Sequence, residues 1–237
     1  MAVIGMAGSL SEYFQSAKYS DITIRFGTVE VPAHKIVLVQ GSDWFRTIFE
    51  SGFKEATKST IELKEDSVKA AFGLLAHLYG LHFNGRDGYW HPHDRTTVFS
   101  TDNGMEYVKY QVDLYVAASK YLVPLLCTQI RNEFGVMLEG VLQADGYPVY
   151  LEEVTKHIFH THVDAAAELR NPVVALVASH LTTWADSGDF EQLLLNVPQL
   201  GVELIRFVVE HGSPASTIKV AAGQTAASER PRRKRNH

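Results

Sequence analysis

The segment from residue 19 to residue 33 constrains the fold most, because it alternates apolar and polar residues with the two-residue period of a β-strand. Ile22, Ile24 and Phe26 fall on one face, with Thr23 and Arg25 between them. Gly27-Thr28 is a turn signal, after which Val29-Glu30-Val31-Pro32 resumes the alternation. The pattern predicts a β-hairpin.

The hairpin is followed by segments with the apolar spacing of α-helices: residues 34–40, 43–49, 68–79, 107–121 and 124–140. Gly41 separates the first two, and Ser42 or Asp43 can cap the second. Residues 60–63 form a brief alternating segment that predicts a third strand. Pro124 suits the first turn of the last of these helices, and Gly140 is expected to end it.

A second helical region is predicted after a linker at residues 143–148, which places a domain boundary within 141–150. Asn171-Pro172 is typical of a helix start, and Asp189 with Gln192 forms a capping-box pattern before a leucine run. The region closes at Gly212. Residues 213–237 are rich in Ala, Ser, Thr, Gly and Arg without apolar periodicity, so a disordered tail is expected.

Charge is distributed unevenly along the chain. The net charge is −5, but the tail over residues 213–237 carries +5, so residues 1–212 carry −10. A body this acidic repels phosphate backbones, which argues against nucleic acid as a partner of the folded part.

Hydrophobic residues make up 46% of the chain and charged residues 21%, values typical of a globular protein. No apolar run approaches the roughly 18 residues needed to span a bilayer. The first ten residues lack the basic flank and apolar stretch of a signal peptide. An intracellular protein, cytoplasmic or nuclear, without membrane partners is expected.

Catalytic signatures are missing from the sequence. There is no G-x-S-x-G, H-E-x-x-H or G-x-G-x-x-G motif. Residues 52–59 approach a phosphate-binding loop, but Thr57 stands where the second glycine is needed, and a β-branched residue resists positive φ. We therefore predict a protein that is not an enzyme, and an enzyme with an unrecognised site remains a distant alternative.

Histidine and cysteine residues could in principle bind metal. His91 and His93 form one set, and His157, His160 and His162 form another. Structural zinc needs four ligands, and neither set is completed by cysteines or a tight carboxylate pair. The sequence predicts no metal site and no cofactor. Cys127, the single cysteine, is expected to be a small buried hydrophobe.

Several ordered segments resemble the BTB/POZ domain. They are Tyr19-Ser20-Asp21-Ile22-Thr23-Ile24, Val31-Pro32-Ala33-His34-Lys35-Ile36-Val37-Leu38, Ser42-Asp43-Trp44-Phe45-Arg46-Thr47-Ile48-Phe49 and Leu114-Tyr115-Val116-Ala117-Ala118-Ser119-Lys120-Tyr121. The short chain with an extra helical region also resembles the small BTB proteins of filamentous fungi. The resemblance implies an α+β fold, a small β-sheet with a cluster of α-helices, followed by an α-helical C-terminal region.

On this resemblance we expect four parts: an N-terminal dimerisation helix at 1–18, a BTB/POZ domain at 19–140, a helical region at 141–212 and a disordered basic tail at 213–237. The implied function is a protein–protein interaction module that forms homodimers.

The resemblance also assigns a dimer interface. Asp21, His34 and Lys35 match charged positions that lie close to the family's dimer interface. Leu10, Tyr13 and Phe14 recur at helical spacing within residues 10–17, and this segment can supply the helix that packs across the two-fold axis. A helix this short needs burial to be stable, and packing on its own chain is the alternative.

Some BTB proteins connect a cullin scaffold to clients for ubiquitin transfer through a hydrophobic-x-Glu element. Phe53-Lys54-Glu55 has that form and position, so Phe53 and Glu55, together with Tyr79, are predicted to bind a partner. The implied role is a substrate adaptor of a cullin-type E3 ubiquitin ligase with an unknown client. Residues 151–212 would have to capture that client.

The basic cluster of the tail supports an alternative, a nuclear scaffold or transcription-associated BTB protein. Arg232, Arg233, Lys234 and Arg235 form the kind of run that nuclear import receptors read. A solvated charged terminus explains the same residues.

Overall fold

The computed structural model describes residues 10–50, 58–64, 67–81, 90–91, 94–97, 104–145, 149–162 and 164–212. A three-stranded sheet in the order β2-β1-β3 contains β1 (Ile22–Phe26), β2 (Val29–Ala33) and β3 (Thr60–Glu62). Strands β1 and β2 are antiparallel, and β1 and β3 are parallel. A separate two-stranded ribbon pairs β4 (Trp90–His91) with β5 (Asp94–Thr97).

The predicted hairpin is confirmed in its register and its buried face. Phe26 pairs with Val29, so Gly27 and Thr28 alone form the loop. Gly27 has a φ of 57°, which a two-residue hairpin turn favours and glycine adopts readily. Ile24 and Phe26 are fully buried, whereas Arg25 faces outward and pairs with Glu30.

Most elements of the first compact unit, which extends to residue 169, are helices. They are α1 (Lys35–Gly41), α2 (Asp43–Glu50), α3 (Val68–Leu78), α4 (Gly104–Lys120), α5 (Pro124–Asp145) and α6 (Val149–Lys156), followed by a π-helical turn (His157–Thr161) and a 3₁₀ turn (Ala167–Leu169). Ser42 caps α2, since its hydroxyl accepts a hydrogen bond from the Phe45 backbone N–H at 3.2 Å.

The core of this unit lies where α3 and α4 pack together beside the sheet. Fully buried side chains include Phe26, Phe45, Phe72, Leu75, Leu114 and Phe134. Gly73 lets α3 approach α4 closely, because a Cβ at this position would overlap the Tyr110 hydroxyl. The chain thus combines a small sheet with a helical cluster, and the predicted α+β class is confirmed.

The predicted N-terminal helix over residues 10–17 is wrong in its extent. Only a 3₁₀ turn at Leu10–Tyr13 forms, and Gln15 follows with a φ of 60°, which breaks helical geometry. A helix of this length is unstable without burial. Phe14 is instead placed against Phe72 and Tyr79 of its own chain.

The helix expected to end at Gly140 continues to Asp145. Leu138 and Leu142, on either side of Gly140, are fully buried, and their burial outweighs the roughly 1 kcal/mol that a glycine costs a helix. The compact units divide between Leu169 and Arg170, beyond the boundary predicted at 141–150.

The second compact unit contains α7 (Arg170–Trp184), α8 (Gly188–Asn196) and α9 (Pro198–His211). Its helices bury Val177, Leu193 and Leu200. The expected capping box is replaced by Ser187, whose hydroxyl accepts from the Phe190 N–H at 3.1 Å, and α8 begins at the next residue.

Among the described residues, no single helix has both the length and the apolarity that a membrane span requires. The pair α8 and α9 meets both requirements together but bends by 107°.

Candidate interaction surface

The start of α1 is held by the carboxylate of Asp21, which lies just before β1. His34, at the N-cap position, makes no side-chain capping hydrogen bond. Asp21 supplies the cap, since its Oδ1 accepts from the Lys35 backbone N–H at 2.8 Å. A carboxylate at a helix N-terminus also interacts favourably with the helix dipole. Asp21 and Lys35, two of the predicted interface residues, are therefore linked within one chain.

His34 lies beneath this contact and is satisfied by its own chain. Its Nε2 is 2.8 Å from the Lys18 carbonyl oxygen and its Nδ1 is 2.8 Å from the Tyr79 hydroxyl. The same hydroxyl accepts from the His34 backbone N–H at 2.9 Å. All four groups are satisfied when the imidazole carries its proton on Nε2 and Tyr79 donates to Nδ1. Only 6% of His34 is exposed, so it supports the surface from below.

Tyr79, predicted to bind a partner, is 1% exposed. Burial raises the pKa of its phenol to about 12, while the hydrogen bond from the His34 N–H lowers this pKa and the Asp21 charge raises it. A partner cannot reach this side chain directly in the described conformation. Its position corrects the expectation: Tyr79 orients His34.

The aromatic residues before β1 cover this pair. The Phe14 ring centroid lies 5.4 Å from that of Tyr79 and 5.2 Å from that of Phe72. The Tyr13 ring lies 5.8 Å from the His34 ring and 6.2 Å from the Tyr19 ring. Both residues of the expected dimerisation helix thus pack on their own chain, and neither is fully buried there.

Apolar side chains remain exposed around the buried His34. Tyr19 is 75% exposed, Ile36 on α1 is 67% exposed and Leu10 is 41% exposed. We call these three residues, with Tyr13 and Lys35, the α1 surface. The Lys35 ammonium lies 5.3 Å from the centre of the Phe49 ring. Exposed apolar residues that form one patch are typical of interaction sites.

A second polar group links α4 and α5 to the 3₁₀ turn. Glu168 accepts from the Tyr115 hydroxyl at 2.8 Å and from Arg131 Nη1 at 2.6 Å. The Tyr115 hydrogen bond, followed by that of Arg131, lowers the pKa of Glu168. Burial raises the pKa of the nearby Cys127 thiol, so it is protonated at neutral pH and is a poor nucleophile. Cys127 is half-buried.

His157 and His162 were named from the sequence, but their carboxylate partner was missed. Asp113 of α4 lies beside His157, the first residue of the π-helical turn, and His162, the residue that follows the turn. Asp113 and His157 are 44 residues apart in sequence, so no local sequence pattern predicts their contact. His160 of the same turn is exposed and lies outside this group.

Other predicted residues cannot be placed. Phe53, Glu55 and His93 lie outside the described residues, as do Arg232, Arg233, Lys234 and Arg235. Of His91, only the backbone, in β4, is described.

The hairpin, the parallel third strand and the packed helices define a small α+β domain that presents an exposed apolar surface. Residues 10–89 match the BTB/POZ domain family. The chain therefore contains a BTB/POZ domain, a protein-interaction module, as its sequence motifs predicted.

Three curated relatives each match part of the chain. Kelch-like protein 38 of Rattus norvegicus is 35% identical over 65 residues, 27% of this chain and 11% of the relative. Kelch-like protein 26 of Homo sapiens is 36% identical over 59 residues, 25% of this chain and 10% of the relative. Kelch-like protein 8 of Mus musculus is 29% identical over 72 residues, 30% of this chain and 11% of the relative. The chain thus spans about a tenth of the length of these relatives.

Proposed function

We propose that this chain is a non-enzymatic interaction module that forms homodimers through the α1 surface. The observation that carries the proposal is the exposure of Ile36 and Tyr19, at 67% and 75%, above a buried and fully hydrogen-bonded His34–Tyr79 pair. Rigid support beneath exposed apolar side chains lowers the entropy cost of association.

A second copy of the chain is the partner that this surface suits. In a two-fold dimer the same patch meets itself, so an apolar centre is self-complementary. The charges at its edge are of both signs, since Asp21 is exposed and Lys35 is half-buried. Rotation about a two-fold axis can bring the Asp21 of each copy towards the Lys35 of the other.

The test replaces Ile36 by Asp in the full chain. Ile36→Asp places a charge at the centre of the α1 surface, and we expect the dimer to dissociate. Folding should be unaffected, because the side chain is exposed and an acidic residue suits the first turn of a helix. Molar mass from light scattering at tens of micromolar protein, together with the Tm, reports both properties.

Val136→Asp is the matched control, since Val136 is 78% exposed on α5 and lies outside the α1 surface. It should leave the dimer intact. A monomeric wild-type chain, or a dimer that survives Ile36→Asp, contradicts the proposed interface.

We further propose that the module serves as a substrate adaptor of a cullin-type E3 ubiquitin ligase. Its support is the Phe53-Lys54-Glu55 element, which has the family's hydrophobic-x-Glu form within the matched residues 10–89. Phe53 would supply an aromatic anchor and Glu55 a hydrogen bond to the scaffold. Client capture would belong to residues 151–212, and the adaptor would act inside the cell.

Titration of a purified cullin scaffold into the full chain tests the adaptor role. Phe53→Ala should weaken binding more than tenfold, which corresponds to about 2 kcal/mol, the scale of an aromatic hot spot. Lys54→Ala should have little effect, because the middle residue is expected to face solvent. Unchanged affinity after Phe53→Ala, or no binding by the wild type, contradicts the adaptor role and leaves the dimer proposal standing.

A further inference from the structure

Two imidazoles and one carboxylate converge between α4 and the π-helical turn. His157 Nε2 lies 2.7 Å from Asp113 Oδ1, and His162 Nε2 lies 3.0 Å from the same oxygen. The two rings are perpendicular, with centroids 4.8 Å apart. One ligand atom from each of the three residues lies within 4.8 Å of the other two.

The π-helical turn produces this convergence. In an α-helix with 3.6 residues per turn, side chains five positions apart diverge by about 140°. Here the His162 backbone N–H donates to the His157 carbonyl oxygen at 3.2 Å, an i to i+5 hydrogen bond. Because a π-helical turn is wider than an α-helical turn, the His162 side chain lies on the same side of the turn as the His157 side chain. Single π-turns cost stability relative to an α-helix and occur frequently at functional sites.

One ion pair secures α6, which leads into this turn, against α4. Lys109 Nζ on α4 contacts Glu153 of α6 at 2.8 Å and Glu106 of its own helix at 3.4 Å. The cation closest in sequence to Asp113 on its helix is therefore engaged by two carboxylates and does not compete for the Asp113 oxygen. The three converging side chains are 21–25% exposed, so an ion can reach them from solvent.

We propose that Asp113, His157 and His162 bind one divalent transition-metal ion, with Zn²⁺ as the best match. Two imidazole nitrogens and one carboxylate oxygen are a ligand set that zinc accepts, with water in the fourth position. Tetrahedral ligands about 2.0–2.1 Å from zinc are about 3.4 Å from each other. The two contacts to Asp113 need to lengthen by less than 1 Å, a change that side-chain rotation can supply.

The site shares no residue with the α1 surface or with the Phe53-Lys54-Glu55 element. It joins α4 to the turn that follows α6, so bound metal would connect the helices before and after α5. An ion that binds only the folded chain at 100 times its Kd raises the folded-to-unfolded ratio about 100-fold. We therefore expect bound metal to stabilise the C-terminal end of the first compact unit.

Equilibrium dialysis of the untagged full chain against Zn²⁺, read by elemental analysis, tests the site. The wild type should bind one tight equivalent, and Tm should rise when Zn²⁺ is added. His157→Ala and His162→Ala should each weaken this equivalent at least tenfold. Asp113→Asn, which keeps the side-chain shape but removes the charge, should also weaken it and should keep the fold measurable if a histidine variant does not.

His160→Ala is the matched control, because His160 belongs to the same turn but not to the cluster. It should retain the tight equivalent. Co²⁺ provides a second readout: intense visible absorption in the wild type, lost in Asp113→Asn, indicates a four-coordinate site. Absence of a tight equivalent in the wild type, or the same affinity in Asp113→Asn and His160→Ala, overturns the proposal.

Discussion

His34 and Tyr79 connect residues 45 positions apart through two hydrogen bonds to one hydroxyl. The phenol is the only side chain among the described residues that both accepts from the His34 backbone and contacts its ring. Because the pair is buried, a lost partner is not replaced by water. The α1 surface therefore depends on Tyr79, a residue buried beneath it.

Tyr79→Phe tests this dependence. Removing the hydroxyl leaves the His34 N–H and Nδ1 without their partner, and we expect the free energy of unfolding to fall by about 1–3 kcal/mol. Tyr19→Phe is the control, since Tyr19 is 75% exposed and should change stability little. Urea denaturation followed by circular dichroism measures both. Equal stability of the two variants contradicts the role assigned to the hydroxyl.

The same phenol gives the wild type a pH dependence. Burial raises the pKa of Tyr79 from 10.0 to about 12 in the folded chain. The group is neutral when protonated, so its contribution is fully present below pH 10 and is lost as the pH rises through about 12. The stability difference between wild type and Tyr79→Phe should therefore shrink over this range. A difference that stays constant contradicts the raised pKa.

At the scale of elements, the approach of α3 to α4 determines how tightly the first unit packs. Gly73 on α3 faces Tyr110 and Leu114 on α4. Tyr110 is 3% exposed, and its ring has little room to move aside. The two helices can therefore approach closely because Gly73 has no side chain.

Gly73→Ala should destabilise the chain by about 1–3 kcal/mol, because the new methyl group would overlap the Tyr110 hydroxyl. Gly140→Ala is the matched control: it lies within α5, is exposed and has open space around its Cβ position. This control should be neutral or stabilise by up to about 1 kcal/mol, since alanine is the better helix former. Thermal unfolding compares the two. Equal effects on Tm contradict the packing argument.

At the scale of the whole molecule, charge separates the chain into an acidic body and a basic tail. Residues 1–212 carry −10 and residues 213–237 carry +5. Four of the basic residues are Arg232, Arg233, Lys234 and Arg235. Such a cluster is read by import receptors through its charge and accessibility, so we propose it as a nuclear import signal.

Replacing these four residues by alanine should shift the protein towards the cytoplasm. Tm should change little, because the tail carries no apolar pattern that could join a core. The control changes the three arginines of the cluster to lysine, which retains the charge and should keep the distribution. Fluorescence microscopy of the tagged full chain measures it. An unchanged distribution in the alanine variant removes the nuclear hypothesis.

Local periodicity allowed much of the fold to be predicted from the sequence. The hairpin was predictable because Ile22, Ile24 and Phe26 alternate strictly, and Gly27-Thr28 supplies the turn. The helices α1 to α5 were predictable from their apolar spacing. Gly41 indicates the end of one helix, and Pro124 indicates the start of another. Motifs in the same segments predicted the BTB/POZ domain.

Only the tertiary structure decided the remaining features. The helix expected at residues 10–17 reduces to one 3₁₀ turn, because Phe14 gains more by packing on Phe72 and Tyr79 than a short helix gains by its own hydrogen bonds. Leu142 carries α5 past Gly140 for a similar reason, since its burial is a property of the folded chain.

The candidate sites show the same division. Asp21, His34 and Lys35 were recognisable because they lie in short motifs near one another in sequence. Burial of Tyr79 and the meeting of Asp113 with His157 and His162 depend on contacts between residues 44–49 positions apart. Sequence determines the local elements because their periodicity is local, whereas side chains so far apart are brought together only by packing of the elements that carry them.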